Sequence, residues 1–181
     1  MKNDHATKPA VFIGEGAIRT RVSQLARKIS TDYADADELL LVGVLRGCYI
    51  FLSDLSRLLT IKRRIDFIAV TTYEQTITMP GAVRLLMDVR TDIAGKHVLI
   101  VDDILDTGKT LQYLLQTFQA RNPASLKTCV LLRKSERLIE DVQIDYLGFD
   151  IPDVWVVGYG LDYADQNRAL PYIGMVKTEE D

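Results

Sequence analysis

The sequence predicts an α/β protein built on a doubly wound parallel sheet, and two observations carry this expectation. Short apolar runs alternate with longer stretches whose apolar residues recur at helical spacing, which is the pattern of repeated strand–helix–strand units. The short runs lack polar alternation, as strands covered on both faces do. With 181 residues and 48% hydrophobic content, the chain can bury one core with room for a small appendage. One domain over residues 1–181 is expected.

Taken in order, Ile18, Val22, Leu25, Ala26 and Ile29 share a helical face, so residues from about 16 to 32 should form an amphipathic helix. Leu39 to Leu45 is the first buried strand. Ile50, Phe51, Leu55, Leu58 and Leu59 mark a helix, and Ile65 to Thr71 a second strand. The polar stretch Tyr73 to Gly81 suits a hairpin tip or a lid, with Val83 to Met87 returning as a strand. Val98 to Val101 is another buried strand, followed by a helix from about Thr110 to Arg121 and a strand from Lys127 to Leu132. Beyond Leu132 the pattern turns to short irregular strands with Pro152 and Pro171. Residues from about 135 to 181, with about 1 to 14 around Val11 to Ile13, are expected to form a small hood.

Composition narrows the function. A net charge of −3 gives no overall basic field, so nucleic acid is not expected as a partner. Cys48 and Cys129 are far apart in apolar sequence, which suits reduced core thiols in a cytoplasmic protein. His5 and His97 are too sparse for a metal cluster. No cationic start leads into an apolar run and no apolar stretch approaches membrane-spanning length, so neither export nor a membrane association is expected.

The chemistry concentrates in Val98-Leu99-Ile100-Val101-Asp102-Asp103-Ile104-Leu105-Asp106-Thr107-Gly108-Lys109-Thr110. A buried strand breaks here into carboxylates, a glycine and hydroxyls just before a helix, the place where open α/β sheets bind ligands. Backbone N–H groups of Thr107 to Thr110 can close around a phosphate at the helix start. Asp102 and Asp103 would repel a bare phosphate, but two carboxylates accept the vicinal hydroxyls of a ribose, directly or through Mg²⁺. Phosphate plus diol suggests a sugar phosphate. Gly108-Lys109-Thr110 copies the end of the nucleotide-triphosphate loop, yet Asp103 stands where that loop needs its first glycine.

The hydrophobic run, two acids, two apolar residues and Asp-Thr-Gly-x-Thr together resemble the phosphoribosyl-pyrophosphate signature of the type I phosphoribosyltransferases. Val44-Leu45-Arg46-Gly47 resembles the pyrophosphate loop of the hypoxanthine-guanine phosphoribosyltransferases, and Trp155-Val156-Val157-Gly158-Tyr159-Gly160-Leu161-Asp162-Tyr163 resembles their purine-binding segment. The resemblance implies the type I phosphoribosyltransferase fold with a base-binding hood. It also implies purine salvage: transfer of the 5-phosphoribosyl group from phosphoribosyl pyrophosphate to hypoxanthine and guanine, with Mg²⁺ as cofactor. A cytoplasmic homodimer or homotetramer follows from the same resemblance.

By that resemblance, Asp106 takes or shares the purine N7 proton, although Asp near a helix start also suits a cap. Leu45, Arg46 and Gly47, with Arg168, would meet pyrophosphate. Thr72 and Tyr73 would belong to a lid over the reaction centre. Asp102 and Asp103 would hold the ribose hydroxyls, and Asp106, Thr107, Gly108, Lys109 and Thr110 the 5-phosphate. Lys134 would donate to the purine 6-oxo group, Trp155 would stack on the base and Val156 would read its edge. Asp162 would hold the base or, with Asp102 and Asp103, the metal. The sequence departs from the family pattern at Arg46, usually lysine, at Arg133 and Ser135, usually Asp and Pro, and at Thr72, usually Ser. Glu74-Gln75 replaces glycines often found in the lid, which should stiffen it. An RNA-binding regulator on the same scaffold is the alternative; the purine-binding segment and the absence of a basic bias favour the enzyme.

Overall fold

A computed structural model describes residues 8–72 and 83–176. The elements in chain order are β1 (Ala10–Ile13), α1 (Glu15–Asp32), β2 (Leu39–Leu45), α2 (Tyr49–Leu58), β3 (Arg63–Thr72), β4 (Val83–Met87), β5 (His97–Leu105), α3 (Lys109–Gln119), β6 (Ser125–Lys134), β7 (Tyr146–Ile151), β8 (Val156–Val157) and β9 (Ile173–Met175). Six strands form the main sheet in the order β4-β3-β2-β5-β6-β7, and β1-β9-β8 form a separate three-stranded sheet. All neighbours in the main sheet run parallel except β4, which pairs antiparallel with β3 at the edge.

The sheet is buried on both faces because β2 and the first half of β5 present unbroken apolar runs. Along β2, Leu39 and Leu41 pack beneath α1 and α2 with Ile18, Val22, Phe51 and Leu55, while Leu40, Val42 and Val44 pack on the other side with Leu111, Leu114 and Phe118 of α3. Strand β5 divides in the same way, Leu99 and Val101 to one side, Val98 and Ile100 to the other.

Strand order sets the site. From β2 the chain winds outward to β3, then returns to place β5 on the opposite side of β2. The C-terminal ends of β2 and β5 therefore flank the point where the winding reverses, where a crevice opens above the sheet.

Three boundaries differ from the sequence pattern. Strand β5 does not end at Val101 but continues through Leu105, so Asp102 and Asp103 are strand residues. Strand β6 runs to Lys134, which closes the strand rather than following it. Residues 146–151, expected within the hood, instead form β7 of the main sheet, in parallel register with β6. Gly148 permits that approach, since a Cβ there would overlap the Leu131 carbonyl.

Candidate active site

The loop after β2 meets the C-terminal half of β5 at the reversal point. The Leu45–Arg46 peptide is cis, and Gly47 lies so close to Asp103 that a Cβ would overlap its carboxylate. Helix α2 starts two residues later, at Tyr49. The loop also touches the segment after β8: a Cβ at Gly160, whose φ is +105°, would overlap the Gly47 carbonyl.

Asp102 is buried and Asp103 partly so. Burial raises the Asp102 carboxyl well above the ordinary aspartate range, and the neighbouring Asp103 charge adds to this; burial likewise raises Asp103. Asp102 Oδ1 accepts the Asp103 backbone N–H at 3.0 Å. Two carboxylates at the mouth of a crevice, both disfavouring charge, make a site that gains from hydroxyl donors or a cation. Cys48, packed nearby, is a buried thiol whose pKa is pushed up by burial and by these same carboxylates.

After Leu105 the chain turns through Asp106 and Thr107 to Gly108, whose φ of +87° starts α3. No side chain caps this helix, so Asp106 does not serve as the cap. The first N–H groups of α3, over Gly108, Lys109 and Thr110, stand at a helix start without intrahelical partners. The turn is held from behind: Thr107 O accepts the N–H groups of Ile139 and Glu140 at 3.0 and 3.1 Å.

Asp106 Oδ1 is shielded from solvent and has no aligned hydrogen-bond donor among the described residues. Arg137 Nε lies 2.7 Å from it as an ion pair. Arg137 Nη1 also faces Asp153 Oδ2 at 3.4 Å, and Asp153 Oδ1 accepts from Lys134 Nζ at 3.1 Å. Lys134 is only 4% exposed, and its ammonium stands 5.5 Å from the centroid of the Trp155 ring. Trp155 itself is 53% exposed and meets Tyr163 edge-on at 5.9 Å. The exposed Trp155 face beside a buried ammonium is an aromatic surface that a flat ring could stack on. Val156 follows in β8, paired with Met175 of β9.

A second charged cluster lies over the β2 loop. Arg168 Nη2 contacts Asp162 Oδ1 at 2.7 Å and Asp165 Oδ1 at 3.1 Å, and Arg46 Nη2 donates to the same Asp165 oxygen at 2.6 Å. The two guanidinium groups, Arg168 first, hold the Asp165 carboxyl below the usual range. Asp162 is thus engaged by Arg168 and by the Asp165 N–H at 2.7 Å. It does not converge with Asp102 and Asp103, and no group of three metal-ligating side chains occurs among the described residues.

The structure therefore brings Gly47 against Asp103, joins Arg46 to Arg168 and Asp162 through Asp165, and links Lys134 to Asp106 through Asp153 and Arg137, with Trp155 over the Lys134 ammonium. Thr72 ends β3 opposite Val83, and Tyr73 lies outside the described residues. Sequence reasoning missed Arg137, Asp153 and Asp165. Each reads as an ordinary surface charge, and only the fold shows which carboxylate meets which cation.

The phosphoribosyl transferase domain family matches residues 15–164. The chain is 45% identical over 172 residues to a hypoxanthine-guanine phosphoribosyltransferase of Dictyostelium discoideum, covering 93% of this chain and 96% of that protein. It is 42% identical over 167 residues to the hypoxanthine phosphoribosyltransferase of Escherichia coli strain K12, covering 92% and 94%. Among solved structures, a Bacillus anthracis hypoxanthine-guanine phosphoribosyltransferase with HEPES in its active site superposes with TM-score 0.87 at 39% identity, covering 92% of this chain and 98% of that one. A Trypanosoma cruzi hypoxanthine phosphoribosyltransferase in a ternary substrates complex gives 0.88 at 42% identity, covering 93% and 95%.

Proposed function

The chain belongs to the phosphoribosyl transferase family, in the branch of the hypoxanthine-guanine enzymes, and we propose that it transfers the 5-phosphoribosyl group of phosphoribosyl pyrophosphate to hypoxanthine and guanine, yielding IMP and GMP with release of pyrophosphate. The observation that carries this is the meeting of the Leu45–Gly47 loop with Asp103 at the reversal point of the sheet, on the strand that leads directly into the Asp106–Thr110 turn. That single crevice offers donors for pyrophosphate, acceptors for a diol and a helix start for the 5-phosphate.

Transfer breaks the bond from ribose C1 to pyrophosphate as a purine nitrogen attacks from the opposite face. Positive charge develops on the sugar and negative charge on the leaving group, and both need fixed partners. Asp102 and Asp103 accept the ribose hydroxyls. The N–H groups of Thr107 to Thr110, with the α3 dipole, hold the 5-phosphate. Arg46 and Arg168 are the cations for pyrophosphate, and its binding there displaces Asp165 from between them. Lys134 donates to the 6-oxo group, Trp155 covers the base beneath the β1-β9-β8 hood, and Asp106 takes up the N7 proton.

Mg²⁺ fits this donor set: it takes one or two carboxylates plus substrate oxygens rather than an all-protein cage, and Asp102 and Asp103 are neighbouring carboxylates, one buried and one partly so, whose charge burial disfavours. When bound, it would draw electron density from the leaving group. Asp162 would join only by releasing Arg168. No helix among the described residues is long and apolar enough to cross a membrane, and we propose a cytoplasmic homodimer or homotetramer.

The test is a coupled assay of hypoxanthine, guanine, xanthine and adenine with phosphoribosyl pyrophosphate, run on the unsubstituted protein and on Asp106→Asn. Turnover should fall by about two orders of magnitude or more in Asp106→Asn with phosphoribosyl-pyrophosphate binding retained, because a base is removed and the cradle is not. Near-normal turnover would remove Asp106 from the chemistry.

A further inference from the structure

Four charged side chains from three separate segments form one chain of contacts. Lys134 ends β6, Arg137 closes the short 3-10 turn Ser135–Arg137 that follows, Asp153 lies just beyond β7, and Asp106 lies just beyond β5. Lys134 Nζ to Asp153 Oδ1 is 3.1 Å, Asp153 Oδ2 to Arg137 Nη1 is 3.4 Å, and Arg137 Nε to Asp106 Oδ1 is 2.7 Å. The two ends are the groups assigned to the purine 6-oxo and N7 positions. The two middle members have no assigned contact with any substrate.

We propose that Arg137 and Asp153 are positioning residues that fix the spacing between the Lys134 ammonium and the Asp106 carboxylate, so that one purine is gripped at its 6-oxo and N7 atoms together. This rests on the purine reading above. A guanidinium is planar, and here it presents Nε to one carboxylate and Nη1 to the other, setting both distance and angle between them. A lysine at the same place is a single point of charge and cannot hold two carboxylates in a defined relation.

The details at each end agree with a positioning role. The Arg137 contact engages the shielded Oδ1, while the Asp106 side chain as a whole is 42% exposed, so the carboxylate is held electrostatically by one oxygen and leaves Oδ2 to accept an N7 proton. Asp153 occupies one of the three Lys134 donors and the Trp155 face lies to another side, which leaves donor capacity for a ligand oxygen. The middle pair is not there for stability. Arg137 and Asp153 side chains are 40% and 43% exposed, and ion pairs that wet contribute little to folding. Breaking them should therefore alter kinetics without altering the fold.

The experiment is steady-state kinetics of the full-length protein, unsubstituted and as Asp153→Asn, Arg137→Ala, Arg137→Lys and the double variant Arg137→Ala/Asp153→Asn, with thermal melting of each. Asp153→Asn should raise the hypoxanthine KM by about tenfold while kcat and the phosphoribosyl-pyrophosphate KM stay within about threefold. Arg137→Ala should do both, raising the hypoxanthine KM and lowering kcat, each by about tenfold, because it releases both ends. Arg137→Lys should recover less than about half of either loss, and the double variant should be no worse than Arg137→Ala within about twofold, since both remove one linkage.

Wild-type kinetics in Arg137→Ala or Asp153→Asn would overturn the proposal. So would full rescue by Arg137→Lys, additive losses in the double variant, or equal losses in the KM of both substrates. Should Arg137→Ala fail to fold, Arg137→Lys and Asp153→Asn decide the matter on the same criteria. If the unsubstituted protein turns over no 6-oxo purine, the functional reading falls and this inference with it; normal wild-type turnover with unaffected variants overturns this inference alone.

Discussion

Gly47 sets its bare Cα against the Asp103 carboxylate: a Cβ there would overlap Oδ2 and Cγ outright and stand 2.7 Å from Oδ1. The atoms in the way are the end of a short side chain, so Gly47→Ala pushes the carboxylate aside rather than breaking the backbone. The expected outcome is a phosphoribosyl-pyrophosphate Kd raised by about tenfold or more, with stability reduced by no more than about 1–3 kcal/mol of overpacking. Calorimetric titration beside a thermal melt checks this. An unchanged Kd would show that Asp103 does not need its present place.

Gly160→Ala should behave differently, because the atom it meets is the Gly47 carbonyl, which is backbone, and because φ at Gly160 is +105°. Both the loop after β2 and the segment after β8 must shift, at a cost of about 2 kcal/mol or more. Urea unfolding should show the larger loss here than in Gly47→Ala. The reverse order would mean that the two segments are less tightly joined than their packing indicates.

The contrast between these glycines shows where sequence patterning is informative. Leu39 to Leu45 is legible to the residue, because every position is apolar and both faces are buried, and the Asp102 to Thr110 signature places the crevice. Strand β7 is not legible: Gly148 and Asp150 interrupt its apolar run, and the reason for Gly148, the Leu131 carbonyl across the sheet, lies in a strand pairing. The extent of β5 was concealed in the same way, since carboxylates at Asp102 and Asp103 read as the end of a strand when they are part of it. Arg137 reads as a solvated charge because its partners, Asp106 and Asp153, are brought to it by two other strand ends.

Acid sensitivity should follow two ion pairs outside the crevice. Arg121 donates to Asp88 at 2.8 and 2.9 Å, joining the end of α3 to the residue after β4, and this pairing holds the Asp88 carboxyl below its usual range. Arg133 does the same for Asp150 between β6 and β7. A carboxyl whose folded pKa is depressed binds protons more readily when unfolded, so its stabilisation is present above the unfolded value of about 3.9 and is lost as pH falls through the folded value. Asp88→Asn and Asp150→Asn should therefore lower the Tm at neutral pH, modestly since both pairs are partly exposed, and the difference from the unsubstituted protein should close in strong acid. A Tm difference that persists unchanged to the most acidic condition would assign the effect to packing instead.

Base choice depends on one buried donor. Lys134 is 4% exposed and faces the ring of Trp155, the chain's one tryptophan, so the residue that selects the base lies beside the residue that reports its arrival. An ammonium donates to the 6-oxo group of hypoxanthine or guanine, whereas the 6-amino group of adenine sets donor against donor and leaves the buried charge unpaired on that side. Sites built around such a partner reject the mismatched analogue by about four orders of magnitude. Hypoxanthine and guanine should therefore be turned over, adenine essentially not, and Trp155 emission should change on titration with hypoxanthine but not with adenine. Lys134→Ala should lower kcat/KM for the 6-oxo purines by about a hundredfold and narrow the gap to adenine, since the truncated site no longer penalises the amino group. Comparable rates with adenine in the unsubstituted protein, or full discrimination retained in Lys134→Ala, would remove Lys134 from base selection.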